Sequence, residues 1–281
     1  MGLKEAIINS DLYVSFVALG LGLAAYAVYG IPFSDPAPLL IIFLLTLNIY
    51  AMNRQTDQQA DEINLPQRTR FVRAHGRWIF MLSCAGLTVA LALSAIRSLP
   101  LGAASLLAFL SGYFYSYPLP SLGRFKDFLV WKNIGVGLIY GFLALIVPLY
   151  FGLDSPEVLA PLFLLFFVRF FLISSFFDLR DVEGDRKAGI RTIPIALGKD
   201  TLAAFHALNI LPLLLFMPLF AFGFVSALFL LLCILASLYG LVYLLGFRYG
   251  IDMKFLCMVV ADAEAMVAAL LLIAAAYSGL I

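Results

Sequence analysis

The sequence predicts an all-α integral membrane protein, folded as one multi-pass transmembrane bundle over residues 1–281. Hydrophobic residues make up 63% of the chain and charged residues only 12%, whereas soluble domains are roughly 45–50% apolar and about 25% charged. The mean hydropathy of +1.02 points the same way. A third observation is a series of apolar runs close to the length of about 20 residues that a spanning helix needs. The bilayer is therefore the expected environment, and a net charge of +1 argues against a nucleic-acid partner.

The apolar runs predict about nine spanning helices. Leu, Ala and Phe dominate these runs, and the alternation of polar and apolar residues typical of membrane strands is missing, which excludes a membrane barrel. The predicted spans are 12–30, 37–52, 78–97, 99–117, 129–151, 156–177, 201–222, 224–246 and 255–279.

Basic residues predict the orientation of the bundle. With nine alternating spans, sixteen of the 18 Lys and Arg residues fall on one face, the exceptions being Arg97 and Arg169. The positive-inside rule makes that face cytoplasmic, so the N-terminus is expected to be cytoplasmic and the protein to lie in the cell membrane. Three long polar connections lie on the same face, at 53–77, 118–128 and 178–200. Long polar loops on one face usually contain functional residues.

Two acidic motifs follow spans two and six on this face. Each places three oxygen-bearing side chains three or four residues apart, so that a helix would align them on one side. The residues are Asn53, Asp57 and Asp61 in the first motif and Asp178, Asp181 and Asp185 in the second. Like charges at this spacing repel, and a hard cation such as Mg²⁺ would compensate them. The alternative is that each run is a solvated loop whose acids pair with neighbouring bases.

Basic residues beside the motifs favour an anionic ligand that bridges the metal. They are Arg68, Arg70, Lys126, Arg186 and Lys187. Together with the apolar bundle, they indicate a ligand with a phosphate head and a hydrophobic tail. Because the two motifs lie four spans apart in equivalent places, we expect two four-helix pseudo-repeats around a central cavity, with the site at their interface.

The ordered set of motifs resembles that of the UbiA superfamily of intramembrane prenyltransferases. The pattern N-x-x-x-D-x-x-x-D at 53–61, followed by I-N-x-P-x-R at 63–68, resembles the first aspartate-rich motif of that family. The segment DVEGDRKAGIRTIPIALG at 181–198 is similar to the second, in the form typical of chlorophyll synthases and archaeal geranylgeranylglyceryl phosphate prenyltransferases. The segment 113–126 resembles the conserved stretch after the fourth helix. One departure is Arg54, where the family often has Asp.

The resemblance implies a Mg²⁺-dependent enzyme that moves an isoprenoid from an allylic prenyl diphosphate to a lipophilic acceptor. Its active site would open on the cytoplasmic face. One Mg²⁺ would be bound by Asn53, Asp57 and Asp61, and a second by Asp181 and Asp185, with Asp178 on the same side of the helix. The metal-binding aspartates Asp57, Asp61, Asp181 and Asp185 would thus be the catalytic residues.

The same resemblance implies roles for basic and aromatic residues. Fixed positive charges would stabilise the diphosphate, from Arg68, Arg70, Lys126 and Lys187. For Arg70 and Lys187 a plain membrane-surface role stays open. Aromatic faces would stabilise the allylic carbocation in the cavity, from Tyr113, Tyr115 and Tyr117. For Tyr117, and less so for Tyr115, the alternative is an aromatic residue that marks the membrane interface. Asn133 would either bind the acceptor or bridge two helices.

Four polar residues lie inside predicted spans, where polar groups are costly. They are Arg169, Asn209, Asp262 and Glu264. Because Asp262 and Glu264 are two residues apart, they point to different faces of a helix. One of them is expected either to pair with Arg169 in a structural bridge or to contact substrate.

Two further interpretations of the whole chain stay open from sequence alone. A membrane terpene synthase would share the ionisation step but let the cation cyclise or meet water. A transporter would also fit pseudo-repeats and intramembrane charges, although it explains poorly why the acidic motifs lie in loops.

Overall fold

The computed structural model describes residues 11–56, 66–118, 124, 128–187 and 191–278, and every regular element within these ranges is a helix. The side chains of 66–68 and 187 lie outside this description. The principal helices are α1 (Leu12–Val28), α2 (Ala37–Thr56), α3 (Pro66–Arg97), α4 (Leu99–Ser116), α5 (Trp131–Ala144), α6 (Ile146–Tyr150), α7 (Pro156–Lys187), α8 (Ile193–Leu197), α9 (Thr201–Ala221), α10 (Ala227–Arg248) and α11 (Glu264–Tyr277).

The membrane-spanning character of the helices is confirmed. Within the described residues, seven helical segments are long and apolar enough to cross a bilayer, and an eighth is obtained if the bent pair Met253–Ala261 and Glu264–Tyr277 counts as one span. The apolar helix α1 has 17 residues and is shorter than these. Seven of the predicted spans each fall on one described helix, and 129–151 and 255–279 each fall on successive shorter helices, whereas the count of nine and the pseudo-repeats stay predictions.

The helices form a closed ring. Each long helix packs on the next long helix in the chain, from α1 through α5 and α7 to α11, and α11 packs back on α1. Because successive helices alternate in direction, the C-terminal ends of α2, α4 and α7 and the N-terminal end of α5 lie at one end of the ring. This is the end where both acidic motifs begin.

Close packing fixes α5 against α7. A Cβ atom at Gly137 would lie 2.9 Å from both the ring and the carbonyl oxygen of Phe167, and one at Gly141 would lie 2.8 Å from the ring of Phe163. Only glycine permits so close an approach between two membrane helices. The N-terminal end of α5 is thereby held beside the C-terminal end of α7.

The opposite end of the ring is tied together by Asp35, in the connection between α1 and α2. Its carboxylate accepts a hydrogen bond from the Tyr150 hydroxyl at 2.7 Å and one from the Ala37 N–H at 2.9 Å. These bonds hold the pKa of the Asp35 carboxyl below its usual value, because they favour the charged form. Arg97 lies over the Tyr150 ring at 4.9 Å.

The last span is broken, although the sequence predicts one continuous run. A π-helix covers Leu256–Ala261, and the chain bends by 45° before α11. Two tyrosine hydroxyls donate to carbonyl oxygens of the π-helix, Tyr13 to Val259 and Tyr239 to Val260, each at 3.0 Å. Backbone groups freed from a regular helix need such partners in a membrane.

Candidate active site

The second acidic motif lies on one continuous helix. Helix α7 runs 32 residues to Lys187, so it extends ten residues beyond the predicted end of span six at 177. Asp178, Asp181 and Asp185 are three and four residues apart on this helix and therefore share one side of it. Their surroundings differ, and these differences determine what each carboxylate can bind.

Asp178 is fully buried and its carboxylate has two partners. The Lys132 ammonium lies 2.5 Å from Oδ1, and the Asn133 amide donates to Oδ2 at 3.2 Å. The same amide nitrogen donates to Ser174 Oγ at 3.1 Å. Asn133 thus bridges α5 and α7, which is one of the two roles that the sequence left open for it. With its charge compensated, Asp178 joins the two helices rather than offering a vacant oxygen.

Asp181 is bound by the residue that precedes it. Arg180 Nε donates to Oδ1 at 2.9 Å and Nη2 donates to Oδ2 at 2.8 Å. This two-pronged contact is the strongest geometry for a guanidinium and a carboxylate. Both oxygens of a predicted metal ligand are therefore occupied by a protein cation in this structure.

Asp185 presents a buried oxygen that has no hydrogen-bond partner within the described part of the chain. An unsatisfied buried acceptor costs about 1–3 kcal/mol, so it requires an explanation. The charges of Lys132, Asp178 and Asp181 all act on this carboxyl group, which places it among the other acidic residues of the motif. A carboxylate oxygen of this kind fits a hard cation such as Mg²⁺.

The first motif begins where α2 ends. Asn53 lies in the last turn of α2, and Ser116 at the end of α4 donates to its Oδ1 at 3.5 Å. Asp57 and Asp61 lie outside the described residues, as does Lys126. Within the ranges that are described, no three His, Cys, Asp or Glu side chains come close enough together to bind a metal ion.

The two motif-bearing helices, α2 and α7, are connected through α5 by a pair of tyrosines and a phenylalanine. The hydroxyls of Tyr50 on α2 and Tyr140 on α5 are 2.9 Å apart. The Tyr140 ring stacks on Phe170 of α7, with ring centroids 3.5 Å apart and planes at 5°. Tyr50 lies one turn before Asn53, so these contacts place the inner side of α2 near α7 just beneath the motifs.

The three tyrosines predicted to line the cavity do not lie together. Tyr115 is close enough to Lys132 and Tyr50 to act on both electrostatically, so it faces the site. Tyr113 is 40% exposed and stacks on Tyr117 with centroids 5.1 Å apart. Because residues two apart on a helix point in nearly opposite directions, Tyr113 and Tyr115 lie on different sides of α4, and the cavity role of Tyr113 and Tyr117 stays a prediction.

The predicted diphosphate-binding bases are only partly described. Arg70 is exposed near the start of α3, at the same end of the ring as the acidic motifs. The side chains of Arg68 and Lys187 lie outside the description, like Lys126. Their role with a diphosphate stays a prediction.

Arg54, the departure from the family pattern, has a structural partner. Its Nε lies 3.2 Å from a carboxylate oxygen of Asp11, which is buried at the start of α1. The guanidinium also lies 6.0 Å from the centre of the Tyr50 ring. Arg54 therefore fastens α1 to the end of α2 that precedes the first motif.

The polar residues inside the spans form one buried network. Arg169 Nε and Nη2 each donate to a different Glu264 oxygen at 2.6 Å, and Nη1 donates to Asn209 Oδ1 at 2.7 Å. The Tyr243 hydroxyl donates to Glu264 at 3.1 Å. Within this network the Arg169 and Glu264 charges pair with each other, which supports the interpretation of Arg169 as part of a structural bridge. Asp262 belongs to the other face, since its charge acts on Tyr50, Tyr140 and Arg180.

Two site residues were missed in the sequence, Lys132 and Arg180. The sequence showed them only as bases that set the orientation of the bundle. Lys132 precedes Asn133 at the start of a span, and Arg180 precedes Asp181, so adjacency to predicted site residues was the available signal. Adjacency alone cannot identify a partner on another helix.

Replacing Lys132 with Met is expected to lower the free energy of unfolding by roughly 3 kcal/mol, because it leaves the buried Asp178 charge without a partner. Urea unfolding in detergent micelles would measure this. In the double variant Lys132→Met/Asp178→Asn the unpaired charge is gone, so much of the lost stability should return. Equal losses in the single and double variants would show that the unpaired Asp178 charge is not what destabilises the single variant.

Comparison with known proteins identifies the family. The profile of the UbiA prenyltransferase family matches residues 12–254. The chain is 28% identical over 170 residues to digeranylgeranylglyceryl phosphate synthase of Sulfolobus acidocaldarius, and 31% identical over 204 residues to homogentisate phytyltransferase of Synechocystis sp.. These alignments cover 58% and 64% of this chain, but only 57% and 65% of the length of the two relatives.

Solved structures share the fold over nearly the whole chain. A UbiA homologue from Archaeoglobus fulgidus, bound to GPP and Mg²⁺, has a TM-score of 0.71 at 19% identity, with 98% of both chains covered. A UbiA homologue from Aeropyrum pernix K1 has a TM-score of 0.69 at 17% identity, with 100% of both chains covered. Because the family profile matches most of the sequence, this chain belongs to the UbiA prenyltransferase family.

Proposed function

We propose that the protein transfers an isoprenoid group from an allylic prenyl diphosphate to a lipophilic acceptor at the end of the ring where α2 and α7 end. The observation that supports this most strongly is the buried oxygen of Asp185, which has no hydrogen-bond partner among the described residues and lies near Asp181 and the bases Lys132 and Arg180. A cation site that lies next to positive side chains suits a diphosphate that is bound together with its metal ion. The active site would open on the cytoplasmic face, as the basic residues predict.

The residues present fit Mg²⁺ as the cofactor. Asp181 and Asp185 would hold it on α7, and Asn53, Asp57 and Asp61 would hold a second ion after α2. When bound, Mg²⁺ neutralises the negative charge that develops on the departing diphosphate. The sequence and the open oxygen of Asp185 support this assignment, which is also in keeping with the Mg²⁺ named for the Archaeoglobus fulgidus homologue.

Positive side chains would hold the diphosphate while its bond to the isoprenoid breaks. Arg70 is exposed at the end of the ring where the acidic motifs begin. We assign diphosphate binding to Arg70 and also to Arg68, Lys126 and Lys187. Fixed charges of this kind stabilise the leaving group without reorganising during the reaction. Tyr115, which is close enough to Lys132 and Tyr50 to act on both electrostatically, would stabilise the allylic cation, since a cation–π contact contributes about 0.5–2 kcal/mol.

Close packing of the helices would exclude water from the allylic cation. Below the motifs, the Tyr140 ring stacks on Phe170 and its hydroxyl is hydrogen-bonded to that of Tyr50, so this part of the bundle is closely packed. Exclusion of water prevents hydrolysis of a reactive intermediate. Transfer to an acceptor and cyclisation both need this exclusion, so analysis of the product separates them.

Product identification tests the proposal. Purified protein in lipid nanodiscs is incubated with Mg²⁺, geranylgeranyl diphosphate and one acceptor of each class, a glycerol phosphate ether, an aromatic quinone precursor, a chlorin or a carotenoid. Mass spectrometry of the extracted lipids should show one acceptor gaining the mass of the isoprenoid minus a proton, together with free diphosphate. A cyclic hydrocarbon or isoprenoid alcohol as the sole product would instead identify a terpene synthase, and no diphosphate release from any allylic donor would contradict the proposal.

A further inference from the structure

Arg180 lies within the second acidic motif, where we propose that metal and diphosphate bind. Its guanidinium grips both oxygens of Asp181 at 2.9 and 2.8 Å, and the two side chains are only 20% and 17% exposed. It also lies 5.8 Å from the centre of the Phe177 ring, one turn earlier on α7. A partly buried, two-pronged contact is held more firmly than an exposed ion pair.

Arg180 also lies among the other carboxylates of the site. Its charge acts on Asp185, and the charge of Asp262 acts on it in turn. A base at this point neutralises the acidic cluster when no other cation is bound. The same base competes with any metal ion for the oxygens of Asp181.

We propose that Arg180 exchanges partners during the catalytic cycle, gripping Asp181 in the resting protein and the diphosphate of the donor once a metal ion binds Asp181. A metal ion that binds an oxygen of Asp181 places a second positive charge beside the guanidinium, and the repulsion between the two cations drives the guanidinium off the carboxylate. The displaced group then lies one residue from the metal-bound carboxylate. Its planar fork of donors matches phosphate oxygens as well as it matches a carboxylate.

This exchange would make metal and diphosphate bind cooperatively. Metal alone weakens the Arg180–Asp181 contact without compensation, whereas metal with diphosphate replaces it by a new contact. Coupling of this kind is reciprocal, so each ligand raises the affinity for the other. The inference rests on the proposed function, because it assigns Arg180 to a metal diphosphate site.

Binding measurements on Arg180→Gln test the exchange without any turnover. Mn²⁺ serves as the metal probe, since it accepts the same oxygen ligands as Mg²⁺, and electron paramagnetic resonance counts free Mn²⁺ over the protein in micelles. Inorganic pyrophosphate serves as the second probe, titrated calorimetrically at saturating Mn²⁺. Arg248→Gln is the matched control, because Arg248 is an exposed base at the end of α10.

In Arg180→Gln, Mn²⁺ alone should bind about tenfold more tightly, because the guanidinium no longer competes for the Asp181 oxygens; a neighbouring Arg weakens proton binding to a carboxylate by about one to three orders of magnitude. Pyrophosphate at saturating Mn²⁺ should bind about 10- to 100-fold more weakly, the value of a lost charged hydrogen bond. Arg248→Gln should leave both affinities unchanged. Opposite signs for the two probes support the exchange, because a merely structural role would weaken both.

Failure of this inference can be told apart from failure of the proposed function. If the unmutated protein binds Mn²⁺ with pyrophosphate but Arg180→Gln does not bind Mn²⁺ more tightly, the exchange is overturned and the metal site stands. If the unmutated protein binds no Mn²⁺ even with pyrophosphate, the proposed function itself is overturned. Should Arg180→Gln fail to fold, Arg180→Lys replaces it, for which the same opposite shifts are expected at smaller size and parallel losses would overturn the exchange.

Discussion

Replacement of Asp185 by asparagine is expected to slow diphosphate release by about 100- to 1,000-fold, the usual loss when a group that stabilises transition-state charge is removed. The amide keeps the size of the side chain but loses the negative charge that a metal ion needs. The rate would be measured with a coupled assay for free diphosphate, using the purified protein and geranylgeranyl diphosphate.

Glu183→Gln is the matched control for this variant. Glu183 lies two residues earlier on α7 and is exposed, so the same change of charge there should leave the rate unchanged, and surface substitutions usually alter stability by less than about 0.5 kcal/mol. Thermal unfolding of both variants would show that the fold is retained. An Asp185→Asn variant that releases diphosphate at the normal rate would remove Asp185 from the metal site.

Replacement of Glu264 by leucine is expected to cost about 4 kcal/mol of stability, because it leaves the Arg169 charge buried without its carboxylate. Arg169 is 1% exposed and Glu264 2% exposed, so water cannot compensate for the loss. Unfolding by urea in micelles would measure the change in free energy.

The double variant Arg169→Met/Glu264→Leu separates a lost charge pair from lost packing. Replacing both members of a buried ion pair by apolar side chains is often neutral or stabilising, so this variant should recover most of the stability. Glu157→Gln, which removes an exposed acid at the start of α7, should change stability by less than about 0.5 kcal/mol. A double variant as unstable as Glu264→Leu would show that the network contributes more than charge compensation.

The sequence predicted where the membrane helices lie but not where they end. Apolar runs locate a span because the hydrocarbon core imposes its length. That constraint stops at the membrane surface, where α3 continues back to Pro66 and α7 continues to Lys187 with polar turns. The break before α11 was also missed, since the π-helix Leu256–Ala261 is as apolar as its surroundings.

The candidate site was predicted in its residue types more than in its contacts. The spacing of Asp178, Asp181 and Asp185 correctly placed them on one helix. The spacing did not show that Lys132 and Asn133 from α5 occupy Asp178, because that contact depends on how two helices pack. The pairing of Arg169 was foreseen as one option, because a charge buried in a membrane needs an opposite charge.

The most direct test of the account is the metal dependence of diphosphate release by the unmutated protein. Release from geranylgeranyl diphosphate would be followed with Mg²⁺ present, after addition of excess EDTA, and after restoring free Mg²⁺. We predict that release stops with the chelator and returns with the metal. Release that continues undiminished in EDTA would contradict the assignment of the two acidic motifs to a metal diphosphate site.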